Sequence, residues 1–373
     1  RQGQVYLDRG DLDLAEEAFL SYAEITRRLI HKQPKKAEWV LEMAYALTNL
    51  GAVEKAREAI NPERNLQYMQ SALEYNQIAL VLDPENEYYL SELGQSHANL
   101  ADAQLKVCDL DGALQSRNQG LALETRLLQD DSENPKRQED LALALTGYAG
   151  VQVQLGNNDD ARASYEKSLQ LIELSARPGK NTRTIRDLVE RRNYIIWLDA
   201  MSGRIDEAWA ISEEQVYDGR SLLETGLGNI STLIIYTNYL LDRAWLANEK
   251  GNTGLAADLL EQGMALLETE ATRLPHNRQI GNILTLAAYR YWQIRSKLPP
   301  DNILSLLPEY RANSGRTRSC VDASLAVRKA VMLGNPARSD DLVAYLLENG
   351  YRETGFMEVC RLYYGCSGEM DTN

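Results

Sequence analysis

The chain is poor in the residues that most often carry catalysis or bind metals. It has three histidines and four cysteines among 373 residues, and His31, His97 and His276 lie far apart in sequence. No HExxH, GxxxxGK or GxSxG motif occurs, and Gly226-Leu-Gly228 lacks the third glycine of a dinucleotide loop. The Asp-rich turn at 157–160 lacks the spacing of a calcium-binding loop. The sequence therefore predicts a protein that is not an enzyme and needs no cofactor or metal.

Positive charge and long apolar runs are also scarce. Acidic residues outnumber basic ones by 54 to 40, and the formal net charge is -14. A surface this acidic repels a phosphate backbone, so we expect no binding to nucleic acid. The longest apolar stretch, residues 230–241, is interrupted by polar residues and is shorter than the ~18 residues that span a bilayer. We therefore expect no membrane span within this chain.

A repeated pattern is the main positive signal. Glycine, four residues and alanine recur, and the alanines at 113, 161, 208 and 256 follow one another at intervals of 48, 47 and 48 residues. A further copy is centred on Ala72, where residues 54–66 lengthen the unit. The copies begin at Gly10, Cys108 (in place of glycine), Gly156, Gly203 and Gly251.

The pattern predicts antiparallel helix pairs. The glycine ends a first helix, because it adopts non-helical backbone without steric cost. An Asp or Asn just after it caps the second helix. The alanine lies where the second helix crosses the first, and a small side chain there lets the two axes approach. Pro34, Pro84 and Pro135 precede the next first helices, as expected for a residue that breaks one helix and tolerates the first turn of another.

These residues resemble tetratricopeptide repeats, from about Val5 to Lys297. The period is longer than the ~34 residues of the standard unit, and is similar to the elongated variety found in the C-terminal regions of multidomain bacterial signalling proteins. The resemblance implies an all-α fold, a right-handed α-solenoid of antiparallel helix pairs. Because the first copy begins at Gly10, residues 1–9 are expected to be the tail of a first helix, and the chain a fragment of a longer protein.

Three segments are expected. Residues 1–298 form the solenoid of about six helix pairs, with the first pair truncated. Residues 299–366 form a C-terminal cap of short helices at 302–310, 317–333, 340–349 and 353–364, and residues 367–373 form a disordered tail. The cap holds three cysteines, Cys320, Cys360 and Cys366. Bridges between Cys320 and Cys360 or between Cys360 and Cys366 are alternatives if the protein is exported, and buried free thiols are the other alternative.

In such a solenoid the first helices line the concave face that holds a partner. The pattern places eight residues on that face, although Trp197 and Trp245 are equally explained as core residues between helix pairs. The chaperone-tail clamp of some members of the family is not matched, because Thr146, Gly147 and Gly150 occupy its positions. The predicted partner-binding residues are Asn99, Asp102, Asn193, Tyr194, Trp197, Asp242, Trp245 and Asn248.

The function expected from this is a non-catalytic scaffold for protein–protein interaction, or a sensor or regulatory module of a larger bacterial signalling protein. The partner would be a protein or peptide, basic or aromatic-rich, and self-association is a further expectation. The alternative is a regulatory domain that takes a peptide or small molecule in the groove. The third hypothesis, an enzyme, would use Cys360 or Cys366 as nucleophile. The compartment stays open between cytoplasm and, if an upstream membrane helix exists, periplasm.

Overall fold

The structure consists of α-helices that pack against their neighbours in sequence, as the repeat predicts. The computed structural model describes residues 2–57, 62–176, 182–226, 229–275, 277–309 and 319–366, and these residues contain eighteen α-helices, one 3-10 helix and no strand. They divide into two compact units, the first ending at Tyr148 and the second beginning at Ala149. None of these helices has the length and apolarity that crossing a membrane requires.

The first unit contains six complete helices and the start of a seventh. Within it successive helices from α1 to α6 pack on one another, the arrangement of an all-α solenoid. The helices are α1 Gln2–Arg9, α2 Leu12–Lys32, α3 Ala37–Ala56, α4 Pro62–Leu82, α5 Glu87–Lys106, α6 Leu110–Asp130 and α7 Pro135–Leu155, which contains the boundary between the units.

The second unit continues the pairs and ends in shorter helices. These are α8 Asn158–Ser175, α9 Thr182–Met201, α10 Ile205–Glu214, α11 Val216–Gly226, α12 Ile230–Glu249, α13 Thr253–Arg273, α14 Arg278–Arg295, α15 Asp301–Leu306, α16 Cys320–Met332, the 3-10 helix Pro336–Ser339, α17 Asp340–Glu348 and α18 Thr354–Tyr364. The last four α-helices match the short helices expected after residue 299, although Tyr310, Thr317 and the expected tail lie outside the described residues.

The repeated glycines have the backbone that the pattern predicts. Gly10, Gly156, Gly203 and Gly251 have φ between 77° and 83°, in the left-handed region. Cys108, which replaces glycine in one copy, has φ 59°, a conformation that L residues rarely adopt. All five copies therefore end their first helices in the same way, whatever residue stands there.

The alanines of the pattern lie at the crossings of the helix pairs. Each is completely or almost completely inaccessible to solvent: Ala15, Ala113, Ala161, Ala208 and Ala256 are 0% exposed and Ala72 is 1% exposed. Ala161 on α8 packs against Ala149 of α7 and Leu198 of α9, with Tyr165 beside it. The small side chain therefore sets how closely successive helices approach.

One second helix of the repeat is broken in two. The helix that begins after Gly203 stops at Glu214, and a further helix starts at Val216. Gln215, between the halves, is 0% exposed, and its side-chain amide donates to Asn193 Oδ1 at 2.6 Å. This buried hydrogen bond accompanies the break, which local sequence pattern does not reveal.

The cap contains a disulfide between Cys360 and Cys366, whose Cα atoms are 5.4 Å apart. Gly365 turns the chain back with φ 65°, and the Cys366 N–H donates to the Cys360 carbonyl oxygen at 3.3 Å. The alternative bridge between Cys320 and Cys360 is wrong, because Cys360 is bonded to Cys366. The alternative of free thiols is also wrong, because none of the four cysteines, all within the described ranges, is a free thiol.

Enlarging a crossing alanine should destabilise the second unit. Ala161→Leu adds three carbons to a site with no space, and overpacking of this kind costs ~1–3 kcal/mol of unfolding free energy. Ala163 is exposed on the same helix, so Ala163→Leu should change stability by less than ~0.5 kcal/mol. Urea unfolding followed by circular dichroism measures both. Equal stability of the two variants would contradict the role given to Ala161.

Candidate partner-binding surface

Two first helices of the first unit, α3 and α5, share a polar and aromatic face. Its residues on α5 are three or four positions apart and therefore lie along one side of that helix. None of them is fully buried, and Tyr88 is 54% exposed. We call this surface the first-helix face; it consists of Glu42, Tyr45 and Asn49 on α3 and Tyr88, Glu92, Gln95, Asn99 and Asp102 on α5.

A pair of tyrosines joins the two helices. The hydroxyls of Tyr45 and Tyr88 share a hydrogen bond, and the Glu92 carboxylate lies near the Tyr45 hydroxyl. Burial raises the pKa of Tyr45, and its contacts with Tyr88 and Glu92 raise it further, so the hydroxyl stays protonated. The two rings and the Glu92 carboxylate therefore form a fixed group on the face, with Tyr88 open to solvent.

The face is predominantly acidic. Glu42 accepts a hydrogen bond from the Tyr22 hydroxyl of α2, and Asp102 pairs with Arg117 of α6. Gly147 leaves room for the Arg117 guanidinium, because a Cβ there would lie 2.6 Å from Arg117 Nη1. The face thus carries three carboxylates, two tyrosines and three amides, and only one of the carboxylates is paired with this arginine.

Asn99 and Asp102, predicted from the sequence, are brought together on this face. Asn99 is half-buried and accepts a hydrogen bond from Gln95 Nε2 at 3.3 Å, and Asp102 is exposed one turn further along α5. The prediction missed the two tyrosines and Glu92. The polar spacing of α5 at positions 88, 92, 95, 99 and 102 was the signal that could have found them.

Among the predicted residues of α9, Asn193 is in the protein interior. It is 5% exposed and donates to the Ile235 carbonyl oxygen of α12 at 2.8 Å, in addition to accepting from Gln215. Because both of these hydrogen bonds are internal and the side chain is buried, Asn193 is not available to bind a partner. The prediction that Asn193 lies on a binding face is therefore corrected.

Tyr194 and Trp197 are half-buried and contribute to packing. The Tyr194 ring stacks on Tyr165 with centroids 4.5 Å apart, and its hydroxyl donates to Glu190 Oε1 at 3.3 Å. Trp197 packs against the cluster of Ala161, Tyr165 and Leu198. The interpretation of Trp197 as a core residue between helix pairs therefore agrees with its contacts.

The predicted residues of α12 are similarly divided. Asp242 is 8% exposed and accepts from Arg290 Nη2 of α14 at 3.1 Å. Burial raises the pKa of Asp242 to about 6, and Arg290 opposes this rise. Asp242 therefore links α12 to α14, and its place on an open binding face is corrected. Trp245 packs on the cluster of Ala208 and Leu246, and Asn248 is half-buried near the end of α12.

Behind the first-helix face, α5 crosses α6 with buried titratable groups at the crossing. Glu124 is 7% exposed, and its Oε1 lies 2.6 Å from where a Cβ of Gly94 would be. Burial raises the pKa of Glu124 to about 7; Asp140 adds to the rise, while Arg137 and Lys136 oppose it. His97 is buried on α5 and burial lowers its pKa.

Glu124 should make stability depend on pH. Its folded pKa of about 7 lies above the ordinary value of 4.5, so the folded state keeps a proton that the unfolded state releases. The free energy of unfolding that this bound proton contributes is fully present below pH 4.5 and is lost as pH rises through about 7. Glu124→Gln should therefore stabilise the protein at pH 8 by ~1–3 kcal/mol and by much less at pH 5.

Urea unfolding of the two proteins at both pH values is the measurement. Glu74→Gln, an exposed change on α4, is the matched control and should have the same small effect at both. An equal effect of Glu124→Gln at pH 5 and pH 8 would show that this carboxyl titrates normally.

The described residues contain no group of three or more His, Cys, Asp or Glu placed to hold a metal ion. An open depression of about 650 Å³ lies at the turns after α2 and α4, lined in part by Lys35, Lys36, Asp83 and Tyr89.

No family model and no curated protein matches the chain. Solved structures that are similar include BtubC (BKLC) from P. vanneervenii, with 14% identity over 68% of this chain and 90% of that chain and a TM-score of 0.47. A tetratricopeptide repeat protein from Parabacteroides merdae is 19% identical over 82% and 94%, with a TM-score of 0.38.

The apo form of the quorum sensor NprR from B. thuringiensis is also similar, with 12% identity over 90% of this chain and 88% of that chain and a TM-score of 0.46. All three TM-scores are below 0.5, so nothing about the function of this chain is drawn from these similarities.

Proposed function

We propose that the chain is a non-catalytic protein-interaction module that binds a basic, aromatic-containing segment of a partner on the first-helix face. The observation that carries this proposal is the grouping of Tyr45, Tyr88 and Glu92 across two helices. Tyrosine rings attract cations through their faces, and a nearby carboxylate adds a charge-assisted hydrogen bond for an arginine or lysine. The other side chains of the face add carboxylates and amides, which suit an extended peptide or a helix.

Charge supports the same choice of partner. The chain has a net charge of -14, so a basic segment is attracted over a distance and its association is accelerated at low salt. Of the three carboxylates on the face, Glu42 accepts a hydrogen bond from a tyrosine hydroxyl and Asp102 pairs with an arginine. Aromatic residues of the partner would pack on Tyr88, the most exposed ring of the face.

The alternative occupant, a small molecule, is supported less well. Small-molecule sites are concave and bury most of the ligand, whereas the depression after α2 and α4 is open to solvent. A helical face of alternating carboxylates, rings and amides fits a long partner better. We infer that partner binding regulates a larger protein, in the way that the resemblance to repeats of bacterial signalling proteins implies.

A labelled peptide tests the binding surface. The probe is a fluorescent peptide of about 12 residues with arginines and tryptophans, and its matched control has glutamates in place of the arginines. Wild-type protein should bind the basic peptide and not the acidic one, by fluorescence anisotropy. Affinity should fall as salt rises from about 50 to about 300 mM, because screening shortens the range of surface charges.

Variants locate the site. Removal of the charges by Glu42→Gln, Glu92→Gln and Asp102→Asn together should weaken binding roughly tenfold, because each exposed pair is worth ~0.2–1 kcal/mol. Tyr88→Ala should weaken it by a similar factor through loss of the exposed ring. The control combines Glu17→Gln with Glu74→Gln, exposed carboxylates on α2 and α4. If the control variant loses as much affinity as the triple variant, the binding is non-specific and the proposal fails.

A further inference from the structure

A second surface of the first unit has the opposite charge. Residues 27–37 contain five lysines and arginines and no carboxylate, in a chain whose net charge is -14. Arg27 and Arg28 pair with Glu24, at 2.5 Å and 3.0 Å. Lys32 and Lys35 are exposed, and within the described ranges neither lies in an ion pair. The C-terminal end of α2 therefore carries excess positive charge that the fold itself does not neutralise.

Apolar side chains are exposed beside these cations. Ile25 on α2 is 57% exposed, and on α4 Ile78 and Val81 are 47% and 76% exposed. The ends of α2 and α4 are near one another, because Ile30 packs on the same core cluster as Leu80 and Leu82 and the turns after both helices line one depression. Scattered exposed apolar residues are ordinary on protein surfaces, but here they occur on two neighbouring helix ends together with exposed cations, of which Arg28 pairs with Glu24 and Lys32 lies in no ion pair within the described ranges.

The exposed residues of α2 and those of α4 each lie along one side of their helix. Ile25, Arg28 and Lys32 are three and four positions apart and lie along one side of α2, and Ile78 and Val81 lie one turn apart on α4. Two adjacent helices form a groove between their ridges into which a third helix packs. We call these five residues the outer basic surface.

We propose that the outer basic surface binds an acidic amphipathic helix of a partner protein. The apolar side of that helix would cover Ile25, Ile78 and Val81, and its flanking glutamates or aspartates would pair with Arg28 and Lys32. A short acidic helix meets only the charges near this surface, because salt screens charges more than ~10 Å away. A second copy of this chain and an anionic membrane meet a much wider part of the protein, whose net charge is -14, and are repelled. This inference does not depend on the first-helix face.

A designed peptide pair tests the surface. The probe is a fluorescent peptide of about 18 residues that forms a helix with leucines on one side and glutamates flanking them, and its control is a scrambled peptide of the same composition. The full chain should bind the amphipathic peptide saturably in fluorescence anisotropy and bind the scrambled one at least about fivefold more weakly, because only the former presents a continuous apolar side.

Paired variants separate charge from apolar contact. Arg28→Glu with Lys32→Glu, and separately Ile25→Ser with Val81→Ser, should each weaken binding at least about fivefold. Leu14→Ser, an exposed change near the other end of α2, should have no effect, and Glu92→Gln on the first-helix face should leave this peptide's affinity unchanged. Circular dichroism confirms that each variant folds.

Four results would overturn the proposal: equal affinity for the scrambled peptide, unchanged affinity in either double variant, no binding of the amphipathic peptide, or loss of its binding in Glu92→Gln. Two further assays test the other occupants. Sedimentation with vesicles of phosphatidylserine and phosphatidylcholine, and sedimentation equilibrium of the chain alone, should show neither vesicle binding nor a dimer that the double variants abolish. Either positive result would assign the surface to a membrane or to a second copy.

Discussion

The close approach of paired helices at small buried side chains is the constraint on which the rest of this structure depends. Six alanines of the repeat have almost no solvent access, and larger side chains fill the space only further along each helix. Because dispersion and the hydrophobic effect act over short distances, a pair of helices gains most when its axes are close along much of their length. Every other feature, from the left-handed turns to the polar faces, is arranged around these crossings.

The polar faces follow from this packing. A helix that is buried by a partner on either side keeps one stripe in contact with solvent, and the composition of that stripe is free to serve binding. In α5 the stripe holds Tyr88, Glu92, Gln95, Asn99 and Asp102. In α9 and α12 two polar residues have a structural role instead. Asn193 and Asp242 link helices through buried hydrogen bonds. A buried polar group must be satisfied internally, which makes it a specific but inward-facing contact.

Much of the architecture could be predicted from sequence because its signals are local. A positive φ at Gly156 or at Cys108 and a buried alanine five residues later depend only on residues in one turn and one crossing. The proline and glycine residues that break helices likewise predicted the helices of the cap.

The sequence did not predict which side chains of the first helices face solvent. Successive residues of a helix differ by about 100° in direction, so a shift of one position moves a side chain from the surface to the core. Asn193 and Tyr194 are adjacent in sequence, yet Asn193 is buried against α12 and Gln215, and Tyr194 stacks on Tyr165. The break at Gln215 likewise depends on a hydrogen bond to a residue 22 positions away. Such contacts are fixed by tertiary packing and leave no periodic signal.

The first unit thus presents an acidic, aromatic face on its first helices and a basic, partly apolar surface on its second helices, two surfaces of opposite charge built on the same crossings. The central claim, that a basic segment is held on the first-helix face, is tested most directly by site-specific photo-crosslinking. A p-benzoylphenylalanine in place of Gln95 on α5 should crosslink to the basic peptide, whereas the same residue in place of Gln70, exposed on α4, should not. Crosslinking from position 70 with none from position 95 would contradict the account.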